Sequence, residues 1–568
     1  MSPLIPTLLL GVLLIAYLFY RAAVPKPIPG IPYNVESLRP FGDLTAALKY
    51  RKKHRAMMTY FASKCLERHE PIMQFFFQPF ARPLVVVCDQ REGLDILTSR
   101  SREFDRSPLF SNLFRAVLPH SSIVMQTNDQ WKYNRRLVSN TMSPAFLGSV
   151  GVSTAYSATM DMLDLWKRKA ALLPHHVIDV KEDVFMSLVD VIWTVTFGSD
   201  LQVCKTQAKH LAALESIANP EMINGLTIVP SCKPPQIYDS LVRLFGSSQI
   251  ALESPLGYKA HWLALKTSTP LRRAIKLRDA LVSQQLHAAY QKFITVDTSA
   301  SAGKAQSAVE LVVQTEEQAA RKDGRSPLDA STRDYIQDEL NLFLFAGSST
   351  TAEEVCWGLK LLTAHQDVQE KLRVAISDAF DSHTPTPTTL AQIKVPYLDA
   401  FVYETLRFGG NTQNTMRVSL VDTTILGHFV PKGTDIFVVN RDIIPHNSSC
   451  PCPVDESKRS PTSQASKKST PLKWSHVDLN TFRPERWLAE TTKGTEFSPQ
   501  AVPLLTFGEG PRGCFGRRFA ELEMRVLFTL IIWHFELLPI PAELEDFDPL
   551  EMLTMAPANC RVKLRESQ

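Results

Sequence analysis

The sequence predicts a mainly α-helical protein with small β-sheet regions, and three observations support this fold class. Apolar residues recur at helical spacing through most of the range 90–445. A short apolar run, LVVVCD at 84–89, is typical of a β-strand. Near the C-terminus, TFGEGPRGCFGRRF at 506–519 places a glycine-rich turn directly before another helical pattern. A chain of 568 residues is long enough to bury a large core.

The first element in chain order is an apolar segment. LIPTLLLGVLLIAYLFY, from Leu4 to Tyr20, holds no charge and is followed by Arg21 and Lys26. Its length is at the short end of a membrane span. No charged residue precedes it and no clear small-residue cleavage site follows, so we favour a retained anchor over a cleaved signal peptide. The basic residues after it place the rest of the chain on the cytosolic side.

The domain organisation follows from this segment. Residues 1–24 are the predicted membrane anchor. Residues 25–33 are predicted to be a proline-rich hinge, because alternating prolines form a stiff polyproline-like spacer. Residues 34–568 form one large domain. Within it, 446–473 is rich in Ser, Pro and Lys and has almost no apolar residues, which predicts a disordered insertion.

Metal binding by this insertion is not predicted. Its candidate ligands are His446, Cys450 and Cys452, but their spacing is not a recognised zinc pattern and a fourth ligand is missing. Elsewhere, nine cysteines without framework spacing fit a reducing compartment. A net charge of +4 is too weak to indicate nucleic acid as a partner.

The remaining elements are assigned from local patterns. Residues 42–69 are predicted as helix, and 72–89 as a short sheet region. Residues 333–365 are predicted as one long helix. Its middle, Gly347 to Thr351, consists of five poor helix formers, whose hydroxyls compete for backbone carbonyls. We expect a bend there that leaves a groove for a small ligand, or alternatively a packing kink between helices.

Cys514 lies in the glycine-rich turn just before a helix N-terminus. Four glycines stand within nine positions around it, which indicates that another group approaches the backbone closely. A helix N-terminus and its free backbone N–H groups stabilise a thiolate. The glycine spacing therefore favours a functional cysteine over a buried structural one.

This turn resembles the haem-binding signature of the cytochrome P450 family. The matching residues are Phe507, Gly510, Arg512, Cys514 and Gly516. The resemblance implies a P450 fold that holds haem b, with the Cys514 thiolate as axial ligand of the iron. It also implies that Phe507 packs against the haem and that Arg512 pairs with a propionate. The resemblance covers essentially the whole chain after the hinge.

Further motifs resemble the same family. Trp131 and Arg135 in WKYNRR, and Arg417 in NTMRVSL, match propionate contacts. AGSSTT resembles the oxygen-binding groove, in which Gly347 opens the helix and Thr350 hydrogen-bonds to dioxygen. Two more motifs, ETLR at 404–407 and FRPERW at 482–487, together imply a structural lock in which one carboxylate is held by two guanidinium groups. The members of this lock are Glu404, Arg407 and Arg486.

The sequence departs from the family at Ser349, where an Asp or Glu is usual. This departure puts the usual proton relay in doubt. Glu353 lies one turn further along the helix, on the face of Thr350. We expect Glu353 or ordered water to replace the missing acid, although Glu353 and Glu354 are equally consistent with an exposed helix flank.

The resemblance further implies three segments that line a substrate pocket, at 109–123, 411–416 and 552–557. Two of them are mostly apolar, which fits a hydrophobic substrate. The third is unusually polar, and we expect one of its amides to orient a substrate hydroxyl or carbonyl, or else to satisfy loop backbone; these residues are Asn411, Gln413 and Asn414.

The implied reaction inserts one oxygen atom from O2 into a hydrophobic small molecule. No dinucleotide-binding or flavin-like unit is present, so electrons are expected from NADPH through a separate NADPH–cytochrome P450 reductase at the endoplasmic reticulum membrane. Candidate basic contacts for it are Lys132, Arg136, Arg517 and Arg518. The short anchor, hinge and insertion resemble fungal tailoring enzymes of terpenoid, polyketide or alkaloid scaffolds.

Two other functions remain open at this point. One is a haem-thiolate isomerase or dehydratase that acts without O2; Gly347 and Thr350 argue against it, and Ser349 argues slightly for it. The other is a haem sensor or electron carrier without a substrate, against which the apolar pocket segments argue.

Overall fold

The computed structural model describes residues 4–217, 221–223, 225–294, 305–324, 333–440, 454–466, 480–492, 494–502 and 504–567. The predicted candidate ligands His446, Cys450 and Cys452 lie outside these residues. The chain forms two compact units. The first comprises Met1–Leu109, Thr412–Thr481 and Pro503–Gly513, and the second Phe110–Asn411, Phe482–Val502 and Cys514–Gln568.

The described residues are mainly helical, which confirms the predicted class. The α-helices are α1 Leu4–Ala23, α2 Leu44–His54, α3 Thr59–Glu67, α4 Gln90–Leu97, α5 Pro108–Phe114, α6 Asp129–Val138, α7 Pro144–Phe146, α8 Val152–Leu172, α9 Lys181–Phe197, α10 Val203–Ala212, α11 Gln236–Ser247, α12 Gln249–Glu253, α13 Tyr258–Thr267, α14 Thr269–Ile294, α15 Ala308–Lys322, α16 Asp334–Ala364, α17 Gln366–Ala379, α18 Pro387–Gln392, α19 Pro396–Gly409, α20 Pro461–Ser466 and α21 Arg517–His534.

The strands are short. They are β1 Ile72–Phe75, β2 Leu84–Val87, β3 Phe104–Arg106, β4 Ile178–Asp179, β5 Met222–Ile223, β6 Leu226–Thr227, β7 Asn414–Ser419, β8 Thr423–Ile425, β9 His428–Val430, β10 Asp435–Val439, β11 Leu488–Thr491, β12 Gly494–Phe497, β13 Phe535–Leu538, β14 Pro549–Glu551, β15 Met555–Pro557 and β16 Arg561–Glu566.

The first unit is built on a five-stranded sheet in the order β1-β2-β10-β7-β3. β2 and β10 are parallel, with Leu84 opposite Asp435, and the other neighbours are antiparallel. Side chains alternate between the two faces along each strand, and each face is buried against its own apolar cluster. Ile436 and Val438 join one apolar cluster, and Phe437 and Val439 join the other. The sheet predicted at 72–89 is therefore only its β1–β2 edge.

The second unit is organised around α16, which is 31 residues long and buried along most of its length. The prediction of one helix over 333–365 is confirmed. Glycines allow other helices to come close to it: a Cβ on Gly358 would lie 2.3 Å from the Phe528 ring of α21. The sheets of the second unit are small and have two or three strands each. α16 is thus the rigid element from which several site residues project.

Two sequence predictions concern the N-terminal region. Among the described residues, no helix is both long enough and apolar enough to cross a membrane. The predicted transmembrane anchor is thus not supported; α1 does form, but its uncharged run ends before Arg21 in its last turn. In the segment predicted as a proline-rich hinge, 25–33, Ile28 and Ile31 are buried and the Gln74 side chain hydrogen-bonds to their backbone.

Two further segments differ from prediction. The helix predicted over 42–69 is interrupted at Arg55, which adopts a left-handed conformation with φ 55°. The predicted disorder of 446–473 does not hold for residues 454–466, which include a 3₁₀ turn at Glu456–Lys458 and α20. Their polar side chains are ordered by specific partners on α4, which a composition-based prediction does not take into account.

Candidate active site

The glycine-rich turn of the first unit runs from Leu505 to Gly513. Gly508 and Gly510 have positive φ values of 61° and 72°, a region that favours glycine. At Gly510 a Cβ would also lie 2.0 Å from the carbonyl oxygen of Leu97, so a side chain is excluded there for two reasons. The side chain of Phe507 in this turn is half-buried.

Two arginines lie close together in the same unit. Arg417 on β7 and Arg512 in the turn are both buried, with 2% and 8% exposure. Burial and the positive charge of Arg512 lower the pKa of Arg417 to about 10, with Asp105 acting in the opposite direction. The Nη2 atom of Arg417 is buried without a hydrogen-bond partner among the described residues. Two buried like charges with an unused donor would be stabilised by an anion.

Cys514, in the second unit, is free and exposed, just before α21. Burial among surrounding atoms raises the pKa of its thiol, whereas the N–H of Gly516, the charge of Arg135, and the charge and N–H of Arg517 lower it. The N–H groups at the start of α21 point at the sulfur and by themselves favour a thiolate, but burial outweighs them, so the pKa of the Cys514 thiol lies above its ordinary value.

Arg135 on α6 lies near this sulfur. Its guanidinium carbon is 4.2 Å from the centre of the Phe515 ring and 5.9 Å from that of Trp131. Burial lowers the pKa of Arg135, while Glu339 and Cys514 raise it. Phe515 also stacks on Phe343 of α16 at 6.1 Å. The stacking fixes a positive charge next to Cys514.

The poor helix formers in the middle of α16 do not interrupt the helix. Ser348 Oγ donates to the Leu344 carbonyl at 3.1 Å, and Thr350 Oγ1 to the Ala346 carbonyl at 2.8 Å, so these hydroxyls bond back into their own helix. Ser349 and Thr350 are half-buried. Gly347 faces Ile192 of α9, whose Cδ1 would be 2.6 Å from an added Cβ. This contact supports the packing interpretation of Gly347 rather than an open groove.

Glu353 is not an exposed flank residue. Its Oε2 atom is buried and has no hydrogen-bond partner in the described part of the chain. Burial raises the pKa of Glu353 to about 7, and a hydrogen bond with Thr554 and the charge of Lys181 oppose this shift. Thr554 belongs to the predicted pocket segment 552–557. A carboxyl group with this pKa exchanges its proton near neutral pH.

The three predicted pocket amides differ from each other. Asn411 is 5% exposed, and its Nδ2 donates to the Thr350 carbonyl at 3.0 Å, so it satisfies helix backbone. Gln413 is half-buried, and its backbone carbonyl accepts from the Asn440 N–H at 2.9 Å. Asn414, in the first unit, has a buried Nδ2 that lacks a hydrogen-bond partner among the described residues. Of the three, Asn414 retains an unused donor.

Glu404 is fully buried and accepts hydrogen bonds from both predicted arginines. Arg407 donates through Nε and Nη2 at 2.8 and 2.6 Å, and Arg486 through Nε at 2.9 Å. Trp487 Nε1 donates as well, at 2.9 Å. Burial alone raises the pKa of Glu404, but these arginines lower it below its ordinary value overall. The carboxylate therefore stays charged and joins α19 to the 482–487 segment.

The four basic residues predicted to contact the reductase differ in their own hydrogen-bond and ion-pair partners. Arg517 is engaged with Glu521 at 3.0 Å and with the Tyr403 hydroxyl at 3.3 Å. Lys132 pairs with Asp129 at 3.0 Å, and both side chains are exposed. Arg136 and Arg518 are exposed. Arg517 therefore has a structural role that its sequence position does not reveal.

Several residues of the site were not found from the sequence. Phe515 holds Arg135, Trp487 completes the Glu404 cluster, and Glu354 accepts the Asn411 N–H at 2.9 Å. Phe515 and Trp487 directly follow predicted residues, and this adjacency is the signal that was available. For Glu354 the signal was its neighbour Glu353, since two acids in a mostly apolar helix both need buried partners.

Comparison with known proteins identifies the family. The cytochrome P450 family model matches residues 44–444 and 478–564. Cytochrome P450 monooxygenase GME11363 of Pestalotiopsis microspora is 35% identical over 544 residues, covering 94% of this chain and 93% of the relative. Cytochrome P450 monooxygenase TRI13 of Fusarium sporotrichioides is 33% identical over 584 residues, covering 96% and 97%.

A solved structure, described as the crystal structure of cytochrome P450DA heme domain, shares the fold. Its TM-score is 0.67 at 18% identity, and the match covers 96% of this chain and 99% of that chain. Because the family model spans most of the chain and relatives match along nearly its whole length, this chain belongs to the cytochrome P450 family and is an oxidoreductase of the monooxygenase type.

Proposed function

We propose that this protein inserts one oxygen atom from O2 into a hydrophobic small molecule, with electrons from NADPH supplied by a separate reductase. The observation that carries the proposal is Cys514, an accessible sulfur at which the N–H groups of Gly516 and Arg517 are directed. When bound, haem b with a thiolate ligand supplies the activation of O2 that the family uses.

The residues present fit this cofactor. Cys514 would hold the haem iron by family resemblance, and Gly516 has open space where a Cβ would stand. Arg417 offers a buried donor without a partner among the described residues, as a propionate contact requires. Trp131, Arg135, Phe507 and Arg512 are proposed as the other haem contacts because they match the family motifs position by position.

Thr350 and Glu353 are proposed to handle protons. The Thr350 hydroxyl now donates to Ala346, and a hydroxyl in this position is able to rotate toward a ligand beside the helix. Glu353 has a pKa of about 7 and replaces the acid missing at Ser349. Gly347 is proposed to act by setting the position of α16 against α9, because its Cα faces Ile192.

The substrate is proposed to be apolar. A buried cluster in the second unit combines Phe114, Val117 and Leu118 with Phe345, two residues before Gly347 on α16. Leu553, from another predicted pocket segment, packs against the same cluster. We propose a secondary-metabolite tailoring step on a terpenoid, polyketide or alkaloid scaffold, and Asn414 as the amide that orients a substrate oxygen.

The redox partner is proposed to be NADPH–cytochrome P450 reductase. Arg136 and Arg518 are exposed cations in the second unit and are its candidate contacts. The cytosol-facing position at the endoplasmic reticulum stays a prediction, since it was derived from the unsupported anchor.

The test of this proposal is the carbon monoxide difference spectrum of the reduced protein. Wild type and the control Cys232→Ser are expected to give the red-shifted band of a haem-thiolate, and Cys514→Ser is expected to lose it. An ordinary haem spectrum in folded wild-type protein would refute the proposal. NADPH-dependent turnover with a reductase then separates a monooxygenase from an O2-independent isomerase. A substrate-induced spin shift separates it from a sensor or electron carrier.

A further inference from the structure

Residues 454–466, which we call the strap, lie outside the family's common sequence. The family model matches up to residue 444 and resumes at 478. Nevertheless the strap is ordered against α4 in the first unit. Val454 packs on the apolar cluster that includes Leu97, the last residue of α4. A segment outside the match to the family model is thus attached to an element of the common fold.

Polar contacts along α4 hold the strap. Arg459 binds the Asp89 carboxylate with both terminal nitrogens at 2.5 and 2.8 Å, and Arg91 pairs with Glu456. Ser460 Oγ donates to Asp95 Oδ2 at 2.5 Å and accepts the Ser463 N–H at 3.0 Å. Thr462 Oγ1 donates to the same Asp95 oxygen at 2.9 Å.

The charged groups nearest to Ser460 are buried carboxylates, and the neighbouring arginines pair with other acids. Asp95 is 4% exposed, and Glu92, one turn away on α4, is fully buried. Arg459 and Arg91 are committed to Asp89 and Glu456. An added dianion on Ser460 would therefore meet buried carboxylates, while the terminal nitrogens of Arg459 and the Nη2 of Arg91 are already paired with other acids.

We propose that Ser460 is a phosphorylation site whose modification releases the strap from α4. Ser460 is half-buried, is followed by Pro461, and is preceded by Lys458 and Arg459. A serine before proline is the acceptor of proline-directed Ser/Thr kinases. Ser107–Pro108 also follows an arginine, but Ser107 is fully buried.

The modification is a phosphoryl transfer from ATP. The Ser460 oxygen forms a bond to the γ-phosphorus as the phosphoanhydride P–O bond breaks, ADP leaves, and the hydroxyl proton passes through the kinase's base to solvent. The product has no hydroxyl donor for Asp95 and carries about two negative charges. Because the hydroxyl is engaged in the docked strap, the kinase acts on the open form, and phosphorylation traps that form.

Release of the strap has a consequence for the glycine-rich turn. Asp89 is the N-cap of α4 and accepts the Glu92 N–H at 2.8 Å, so Arg459 supports the start of this helix. Leu97 is at the other end of α4. Its carbonyl oxygen would be only 2.0 Å from a Cβ added to Gly510, so the turn packs closely against the end of this helix. Loosening α4 is therefore expected to loosen the turn at Gly510.

The first experiment treats the full-length holoprotein with a purified proline-directed Ser/Thr kinase and Mg-ATP, and maps phosphate by mass spectrometry. Phosphate is expected on Ser460 both in wild type and in the strap control Ser457→Ala. In Ser460→Thr it is expected on the hydroxyl of the substituted residue. It is expected to be absent from this position in Ser460→Ala and Pro461→Ala. An unmodified Ser460 in wild type overturns the proposal, whether or not a synthetic peptide of residues 454–466 is phosphorylated.

The second experiment measures release directly, by glutamyl endopeptidase cleavage after Glu456, four residues before the phosphate. Phosphorylated wild type is expected to be cleaved about tenfold faster than unmodified protein, because cleavage follows the population of the open form. Hydrogen exchange over 90–97 and 508–513 is expected to rise in parallel. Equal cleavage rates in the two forms overturn the release step. Neither readout depends on catalytic activity.

Discussion

The side-chain amide of Asn411 donates to the backbone carbonyl of Thr350 at 3.0 Å, joining the end of α19 to the middle of α16. The Asn411 N–H also donates to Glu354, 2.9 Å away, and the Met555 N–H donates to the Asn411 carbonyl at 2.8 Å. A residue predicted to face a substrate thus fixes the helix that carries Thr350.

Asn411→Leu is therefore expected to destabilise the protein by about 1–3 kcal/mol, since it removes the donor to a buried carbonyl. The looser helix is expected to release more peroxide per NADPH. Chemical denaturation and a peroxide assay measure the two effects. Gln413→Leu is the control, because its bond to Asn440 uses the backbone and is kept. Unchanged stability in Asn411→Leu would contradict the assigned contact.

Asn414→Leu is expected to behave in the opposite way. Its buried Nδ2 has no hydrogen-bond partner in the described part of the fold, so removing it costs the folded state little or stabilises it. The product profile is expected to change, because a donor for the substrate is lost. Denaturation and product analysis with one substrate test this. A loss above about 1 kcal/mol with unaltered products would show that the amide serves the fold.

Gly347→Ala tests whether packing or a groove explains this glycine. The new Cβ would lie 2.6 Å from Ile192 Cδ1, and such overpacking costs about 1–3 kcal/mol. Ile192→Ala is expected to reduce that cost in the double variant, as a double-mutant cycle measures. Gly246→Ala is the matched helical control, with open space around its Cβ. Strictly additive losses would argue against the packing role.

Glu404→Gln is expected to lower stability by about 3–5 kcal/mol, because it breaks the ion pairs between a buried carboxylate and two buried arginines. The folded-state pKa of Glu404 lies below its ordinary value of 4.5. Its stabilisation is therefore complete above pH 4.5 and is lost as the pH falls through the lower folded-state pKa. Denaturation midpoints across acidic pH measure this.

The matched control for that experiment is Glu485→Gln, in the same segment. Glu485 forms an exposed ion pair with Lys371 at 2.8 Å, and such pairs contribute at most about 1 kcal/mol. Similar losses in the two variants would contradict the importance of burial in the Glu404 cluster.

Glu353→Gln is expected to raise peroxide release per turnover, because it removes an exchangeable proton beside the pocket segment. The folded pKa of about 7 lies above the ordinary 4.5, so the folded state binds the proton more tightly. Stability is therefore expected to fall as the pH rises from 4.5 to 7 in wild type, and this component is expected to vanish in Glu353→Gln. Unchanged coupling in the variant would rule out the relay.

Much of the fold class was predictable because it rests on local patterns. The long helix at 333–365, the strand LVVVCD and the turn before α21 are each specified by residues close in sequence. The glycines of the turn were informative for the same reason, since positive φ at Gly508 and Gly510 is a local backbone requirement.

Contacts between distant segments were not predictable from local patterns, and the contact of Glu404 with Arg486 was expected only because family resemblance implied it. The partner of Asn411 lies 61 residues away, and that of Arg459 lies 370 residues away. For this reason the strap appeared disordered by composition although α4 supplies carboxylates to order it. Gly347 appeared to open a groove although Ile192 fills the space beside it.

The sequence by itself determined the family, the cysteine and the helical class, because these depend on residue types at fixed short spacings. The tertiary structure alone decided which polar groups are used and which are left over. Burial and partners set whether Glu353 holds a proton near pH 7, whether Arg417 has a free donor, and whether an amide serves the backbone or faces a ligand. Desolvation and hydrogen bonding depend on the whole surroundings of a group, and those surroundings exist only after the chain has folded.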